Sequence, residues 1–441
     1  MTRLMGADMR RIQAGNVLSA FGLGFTVPYL YVYVAQVRDL GASTAGVVLA
    51  VFAMAALVVL PFTGRVIDRR GPLPVLMGGA VLASAGALGM GFAGSVPAAV
   101  LSAAVLGAGT AVMQPALATM IVWGTTPSTR TRMFAMQFFL QNLGLGIGGL
   151  VGGQIVDESR PGSFTLLFSV EAVMFLVMVG LAATVRLPRP PSVVVGDLAG
   201  AAGTRARSGL RALLGHRAMV QLLVLGFVVF FACYGQFESG LAAYGTEAAG
   251  IDPSVLGIAL AANTAVIVVA QFVVLRVVER RRRTRVIAAV GLVWTVAWIV
   301  AGFAGLGSVG PAFATVAFVS TYALFGLGES MLAPTVAPLV ADLAPASRVG
   351  QYNSAFALVK QLALALGPAV GGPMGAALHG PYIVTFVLFS LGITVLALRL
   401  GRQLTAVQDQ PSLASTSRVV VQHVPEHAPE PVREPARESV H

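Results

Sequence analysis

Four ionisable side chains lie inside long apolar segments, where a charge is costly. They are Glu171, Glu238, Glu329 and Lys360, and the last is the only lysine in the chain. A charged side chain at mid-bilayer costs roughly 2.5–3.5 kcal/mol or more, so such a residue usually has a partner or a function. A carboxyl group in this setting can take up and release a proton, with a lysine as its counter-ion. We therefore expect proton transfer from these residues.

The spacing of Glu329 and Lys360 from the nearest loop places them at similar depths. Glu329 lies 13 residues before Asp342, and Lys360 lies 12 residues after Arg348. At the helical rise, both are about 18–20 Å from the loop that joins their segments. Because helices joined by a short loop are usually neighbours, we expect the two side chains to pair. The pair is either a proton-coupling centre with Lys360 as gate or counter-ion, or a structural ion pair.

The other two acids are placed less closely by the sequence. Glu238 lies about 31 Å from Arg217 at the same rise, near the opposite membrane surface, where it is a proton carrier or a solvated group. Glu171 lies near mid-depth in the sixth apolar segment, where it carries protons or hydrogen-bonds a neighbouring helix. Glu238 and Glu329 are the preferred proton carriers.

Uncharged polar residues recur in the same segments, as contacts between helices or as the lining of a cavity. Together with the many Phe and Met residues they suit an amphiphilic or apolar substrate better than a sugar, which calls for denser polar and Trp contacts. The predicted cavity residues are Asn16, Tyr29, Tyr33, Gln114, Gln137, Gln141, Asn142, Gln236, Asn263, Tyr322, Asn353 and Gln361.

Twelve apolar segments position these side chains. The 441 residues are 56% apolar and only 11% charged, and the mean hydropathy is +0.82. A soluble protein of this size needs more surface charge, so most of the outer surface faces lipid. A helical span takes roughly 20 apolar residues. The predicted spans are 12–34, 44–63, 74–93, 97–123, 133–156, 163–185, 218–242, 254–275, 286–305, 312–340, 351–377 and 381–400.

The arginines mark one side of the membrane. The net charge is +11, but the arginines lie in short loops beside spans, which is a topology signal and no nucleic-acid patch. The asymmetry predicts a multi-pass protein of the cell membrane with both termini in the cytoplasm. Residues 187–217 are interpreted as a linker, with a short interfacial helix at 208–217, and residues 403–441 as a disordered cytoplasmic tail.

Three short patterns repeat between the two halves, 1–186 and 218–402. "RVIDRR" at 65–70 matches "RVVERR" at 276–281, "GAGTAVMQP" at 107–115 matches "GLGESMLAP" at 326–334, and "GGLVGG" at 148–153 matches "GPAVGG" at 367–372. Each pair falls on the equivalent span or loop. Parallel six-helix halves are a known transporter architecture with a midplane site. We expect an all-α membrane protein of twelve transmembrane helices in two pseudo-symmetric six-helix bundles.

The loop "GRVIDRRG" at 64–71 resembles the signature G-x-x-x-D-R-x-G of the major facilitator superfamily, although Pro72 and Leu73 stand where basic residues are usual. The resemblance covers about 1–402, and the nearest likeness is to bacterial multidrug-efflux members. It implies a cytoplasmic latch at Gly64, Asp68, Arg69 and Gly71. Asp68 is expected either to pair with an arginine of 130–132 or to sit at a helix N-terminus of the other half.

The Gly-Pro-x-x-Gly-Gly signature of the same family is associated, in span 5, with proton-coupled exporters. Here the intact form stands in span 11, and Gly149 replaces the proline in span 5. Ala103 stands where drug–proton antiporters of the family commonly have an arginine in span 4. Both departures reduce the support that the resemblance gives to proton coupling.

Enzymatic, metal and cofactor chemistry find no support in the sequence. The single cysteine, Cys233, and five histidines offer no ligand spacing, and the spans carry no nucleophile or paired-acid constellation. The predicted function is export of small amphiphilic compounds by alternating access, with protons as the exchanged ion and a monomer as the expected form. A metabolite importer or facilitator of the same superfamily is the alternative, followed by a non-transporting receptor or intramembrane enzyme.

Overall fold

The computed structural model describes residues 2–157, 159–187, 211–237, 239–306 and 310–410, and helices account for its regular structure. The first half contains α1 (Thr2–Thr26, continued by short turns to Val37), α2 (Ala42–Arg70), α3 (Pro72–Gly91), α4 (Val96–Gly124), α5 (Pro127–Ile155) and α6 (Pro161–Ala183). The second half contains α7a (Arg217–Ala232), α7b (Gly240–Glu247), α8 (Pro253–Val278), α9 (Arg283–Ala304), α10a (Pro311–Leu332), α10b (Val336–Leu343), α11 (Val349–Ala377), α12 (His379–Gly401) and α13 (Ala406–Asp409).

The two halves pack their helices in the same pattern. In the first half α1 contacts α5 and α6, α3 contacts α4 and α6, and α2 contacts α4. Each contact recurs six helices later, as α7 with α11 and α12, α9 with α10 and α12, and α8 with α10. The halves meet through α2 with α11 and through α5 with α8, and these two interfaces are related by the same exchange of halves. The predicted pair of pseudo-symmetric helical bundles is confirmed.

The seventh span departs from the predicted continuous helix. Helix α7a ends at Ala232, and the next helix, α7b, begins at Gly240. In the described residues, eleven helices are long and apolar enough to cross a membrane, while Arg217–Ala232 falls short because of this break. An apolar run predicts burial but not continuity of the helix. The total of twelve spans therefore stays a prediction. It requires that α7a and α7b together cross the membrane as the seventh span.

Glycines at four-residue spacing bring α7 and α11 together. A Cβ atom at Gly367 would meet the backbone of Gly235, and one at Gly375 would meet the carbonyl of Gly240. The motif "GGLVGG" does the same for α5, where Gly148 lies against the backbone of Phe21 in α1. Small residues permit such close approach of helices in lipid. Both repeated glycine motifs are thus packing surfaces for the first helix of their own half.

Replacing Gly375 by Ala is expected to destabilise the protein by about 1–3 kcal/mol, the usual cost of an overpacked contact. The added methyl group enters space held by the Gly240 backbone, which cannot rotate away. Gly372→Ala is the matched control, because nothing lies within 4 Å of its Cβ position. Thermal unfolding in detergent should separate the two variants, and equal melting temperatures would contradict this account of the packing.

The chain after α12 differs from the disordered tail predicted from residue 403. Residues 402–410 are described, and they contain the short helix α13, with Asp409 buried at 3% exposure. A capping box between Thr405 and Gln408 starts this helix. Residues 411–441 and most of the predicted linker, 188–210, lie outside the described residues, and 211–215 are helical.

Candidate functional site

Glu329 is held inside the second half by neutral hydrogen-bond donors. It lies on α10a with 3% of its surface exposed. The side-chain amide of Asn263, on α8, donates to its Oε1 at 2.8 Å and to the Tyr322 carbonyl at 3.2 Å. The Tyr234 hydroxyl, just beyond α7a, also hydrogen-bonds the same carboxyl group. Side chains from three spans therefore converge on one buried acid.

Lys360 faces the space between the two halves. Its side chain is half-buried on α11, with Nζ 5.1 Å from the ring centre of Phe230 on α7a. Asn353 lies seven residues earlier, two helical turns along the same face, and donates to Thr119 of the first half at 3.3 Å. Lys360 thus lies two turns beyond a contact between halves, on the face that makes this contact.

Glu329 and Lys360 interact electrostatically but do not form the expected direct ion pair. Each contributes to the field at the other, yet the ion pairs within 4 Å in the described part of the chain do not include them. The rings of Phe230 and Tyr234, 5.0 Å apart, respectively contact the lysine and the acid. Similar depth does not fix the position around the bundle axis, and α7 supplies groups between the two charges.

The other predicted proton carriers have different settings. Glu171 is completely buried on α6, and a Cβ at Gly22 of α1 would lie 3.2 Å from its Cγ. The Thr26 hydroxyl of α1 lies near its carboxyl group and also donates to the Gly22 carbonyl at 3.2 Å. Glu171 therefore lies within the first half, away from the space between halves. Glu238 lies outside the described residues.

Several predicted cavity residues form hydrogen bonds within their own half. Tyr33 is completely buried, and its hydroxyl contacts the Met90 and Gly91 carbonyls of α3. Gln236 is also completely buried and donates to the Phe231 carbonyl at 3.0 Å. Tyr322 donates to the Phe237 carbonyl at 2.7 Å. These side chains satisfy backbone carbonyls near helix ends and breaks of their own half. Their role as cavity residues stays a prediction.

The remaining members of the predicted set differ in exposure. Tyr29 donates to the Gly149 carbonyl at 2.7 Å, which ties α1 to α5. Asn142 donates to the Phe138 carbonyl within its own helix at 2.9 Å. Asn16 and Gln137 are buried, Gln141 and Gln361 are half-buried, and Gln114 is exposed.

Asp68 joins the two halves at one membrane face. Its carboxylate accepts hydrogen bonds from the backbone N–H groups of Gly350 at 2.7 Å and Gln351 at 3.1 Å, in the first turn of α11. A carboxylate at a helix N-terminus is favoured by the unpaired N–H groups and the helix dipole. Of the two contacts expected for Asp68, the structure has the helix N-terminus and not an arginine of 130–132.

The other expected latch residues surround this contact. A Cβ at Gly64 would lie 2.6 Å from the Gln351 Cα, so only glycine allows the two helices to approach this closely. Gly71 ends α2 with φ of 89°, a conformation that side chains rarely adopt. Arg69 is exposed at the same helix end.

Two arginines of the first half pair with acids of the second half at the same face, which we call the arginine-rich face. Arg130 pairs with Asp342 on α10b, and Arg283 donates to the other oxygen of Asp342 at 2.6 Å. Arg132 pairs with Glu279 through two hydrogen bonds of 3.3 Å. The sequence gives no signal for the Asp342 cluster, because its members are far apart in ordinary basic or short loops.

The contacts between halves place the structure in one conformation. They lie at the arginine-rich face and continue to mid-membrane, where Phe139 and Phe272 pack at 5.2 Å and Ala56 and Leu60 lie near Ala357 and Leu358. Toward the opposite face no ion pair or hydrogen bond of the described residues joins the halves. The arginine-rich face is therefore closed.

Comparisons with known proteins agree with this architecture. The family model of the Major Facilitator Superfamily matches residues 14–368 and 249–418. The chain is 26% identical over 360 residues to the multidrug resistance protein MdtH of Aeromonas hydrophila, covering 80% of this chain and 83% of that protein. It is 22% identical over 376 residues to the uncharacterized MFS-type transporter YttB of Bacillus subtilis, covering 83% and 88%.

Solved structures share the fold at low sequence identity. The fucose:proton symporter FucP of E. coli superposes with a TM-score of 0.73 at 15% identity, over 90% of this chain and 99% of that one. The human organic anion transporter MFSD10 superposes with a TM-score of 0.70 at 15% identity, over 89% and 99%. With the family model covering most of the sequence, the chain belongs to the Major Facilitator Superfamily and is a membrane transporter, not an enzyme.

Proposed function

We propose that this transporter exports small amphiphilic compounds from the cell in exchange for protons, by alternating access of its two halves. The observation that carries the proposal is the setting of Glu329, a buried acid bonded by Asn263 and Tyr234 and influenced by Lys360. The relatives named multidrug resistance proteins support the substrate class. The arginine-rich face is the cytoplasmic face in this proposal, as the arginine count of the loops predicts.

Exchange requires that the proton and the substrate exclude each other. Without a proton, the Glu329 carboxylate accepts hydrogen bonds from its two neutral neighbours, and the charge of Lys360 offsets the cost of burial. A substrate that donates a hydrogen bond or brings a positive charge to Glu329 competes directly with the proton. The substrates we propose are therefore neutral or cationic amphiphiles rather than acids.

Aromatic side chains near the acid fit such molecules. Phe230 lies 5.0 Å from Tyr234 and 6.1 Å from Phe356, and Tyr234 lies 5.8 Å from Phe237. All four side chains are partly exposed. A mostly apolar wall with few placed polar groups is the usual composition of a site for lipophilic ligands. Aromatic faces also attract cations, which suits the cationic members of the class.

A vesicle assay tests the proposal. The purified protein is reconstituted in liposomes, and the uptake of fluorescent cationic and neutral amphiphiles is followed with and without an imposed pH gradient. We expect accumulation against a concentration gradient when the destination compartment is the more acidic one, and loss of accumulation when a protonophore is added. Transport that only equilibrates the dye, whatever the pH gradient, would favour the facilitator alternative. Accumulation toward the alkaline compartment would indicate import with protons.

A further inference from the structure

The chain beyond the last long helix folds back onto the second half. Helix α13 starts with a capping box, in which the Gln408 N–H donates to the Thr405 hydroxyl at 3.3 Å. Asp409, at the end of this helix, is 3% exposed although it is acidic and close to the membrane surface. Gln410 donates from its side chain to the Arg280 carbonyl at 3.3 Å. We call residues 405–410 the clasp.

Asp409 attaches the clasp to the N-terminus of α9. Its Oδ1 accepts hydrogen bonds from the Thr284 N–H at 2.9 Å and from the Thr284 hydroxyl at 2.9 Å. Thr284 lies in the first turn of α9, where N–H groups have no partner within the helix. A carboxylate from outside the helix supplies the missing acceptor and also interacts with the helix dipole.

The same segment contacts Arg283, the residue before Thr284. The Nη1 atom of Arg283 donates to the Gln408 carbonyl at 3.2 Å as well as to Asp342 at 2.6 Å. Its Nη2 donates to the Thr131 hydroxyl of the first half at 3.3 Å. The Arg283 side chain is 1% exposed, so these contacts take the place of water around its charge.

From these contacts we infer that Asp409 is a positioning residue for closure of the arginine-rich face. It holds the clasp over α9, and the clasp fixes Arg283 beside Asp342. Asp342 in turn binds Arg130 across the boundary between halves. Without the clasp, water reaches Arg283, and its hydrogen bonds to Asp342 and Thr131 weaken. The closed state then loses stability relative to the state in which the halves have parted.

Distance measurements between spin labels test this role. Cysteines replace Ser128 in the first half and Ser347 in the second, both exposed at the arginine-rich face, and Cys233 is replaced by Ala. The variants are Asp409→Asn, a chain ending at Leu404, and a chain ending at Gln410 that keeps the clasp. No substrate or pH gradient is applied, so the result does not depend on the proposed function.

We expect Asp409→Asn and the chain ending at Leu404 to raise the ratio of open to closed molecules by roughly three- to tenfold, the effect of weakening one hydrogen bond across the boundary, that of Arg283 to Thr131. The chain ending at Gln410 should match the full chain. Asp409→Glu should restore part of the closed population, because it keeps a carboxylate. Unchanged distance distributions in the first two variants would overturn the inference. So would a lower melting temperature without a population change, because it would mean a purely structural role.

Discussion

Glu329→Gln is expected to reduce substrate-induced proton movement to the level of empty liposomes. Glutamine keeps the shape of the side chain and an acceptor for Asn263, but it cannot take up a proton. Substrate exchange across the membrane without net proton transfer, measured as counterflow, should continue because the fold and the cavity are kept. Proton flux is measured with a pH-sensitive dye inside the proteoliposomes, alongside uptake of the amphiphile that gives the largest signal with the unmodified protein.

Two variants control for this result. Glu247→Gln makes the same chemical change at an exposed glutamate of the same half and should leave the proton flux unchanged. Glu329→Asp keeps a titratable group and should retain part of the flux. Full proton flux in a well-folded Glu329→Gln protein would exclude Glu329 as the carrier and leave Glu238 as the remaining preferred acid.

The charged residues of the site could be predicted from the sequence, because burying a charge in an apolar span is costly. An acid or a lysine in an apolar span is conspicuous because of its cost, so Glu329 and Lys360 are found without a structure. The pairing of Glu329 with Asn263 and Tyr234 is not found in this way. Asn263 was expected only as one of many cavity residues, and Tyr234 is an ordinary polar residue of another span. The break of α7 after Ala232 was missed for a related reason. Gly235, Gln236 and Gly240 do interrupt the apolar run of 218–242, but glycines and single polar residues also occur in the continuous spans, so they did not mark a break. The break places Tyr234 toward Glu329.

The contacts that close the arginine-rich face were predicted only where a family signature marks them. The loop at 64–71 indicated Asp68, and the physical options for its partner included the helix N-terminus that it contacts. Arg130, Asp342 and Arg283 carry no such mark. Their sequence separations are large, and a basic loop beside a span is already explained by topology. Glu279 was noted only because it occupies the position of Asp68 in the repeated pattern, and its pairing with Arg132 was not predicted.

Asp342 is the residue whose substitution should most directly change the closure of the arginine-rich face. Its two oxygens bind Arg130 of the first half and Arg283 of the second, with 10% and 1% of these arginine side chains exposed. Removing one partner of a buried ion pair costs about 3–5 kcal/mol, because the remaining charge is left without compensation. When the halves part, water can solvate Arg130. The cost of leaving Arg130 without a partner therefore destabilises the closed state only.

Asp342→Asn is therefore expected to open the arginine-rich face in most molecules. If about 2 kcal/mol of the cost is confined to the closed state, the ratio of open to closed molecules rises about thirtyfold, since every 1.4 kcal/mol is tenfold. Spin labels at positions 128 and 347 report the change directly. Glu279→Gln is the matched control, because its partner Arg132 is 69% exposed and an exposed pair contributes less than about 1 kcal/mol. Combining Asp342→Asn with Arg130→Gln should recover part of the closed population, because the double variant no longer buries an unpaired first-half arginine. Equal shifts in the Asp342 and Glu279 variants would mean that burial does not decide which contact holds the face closed.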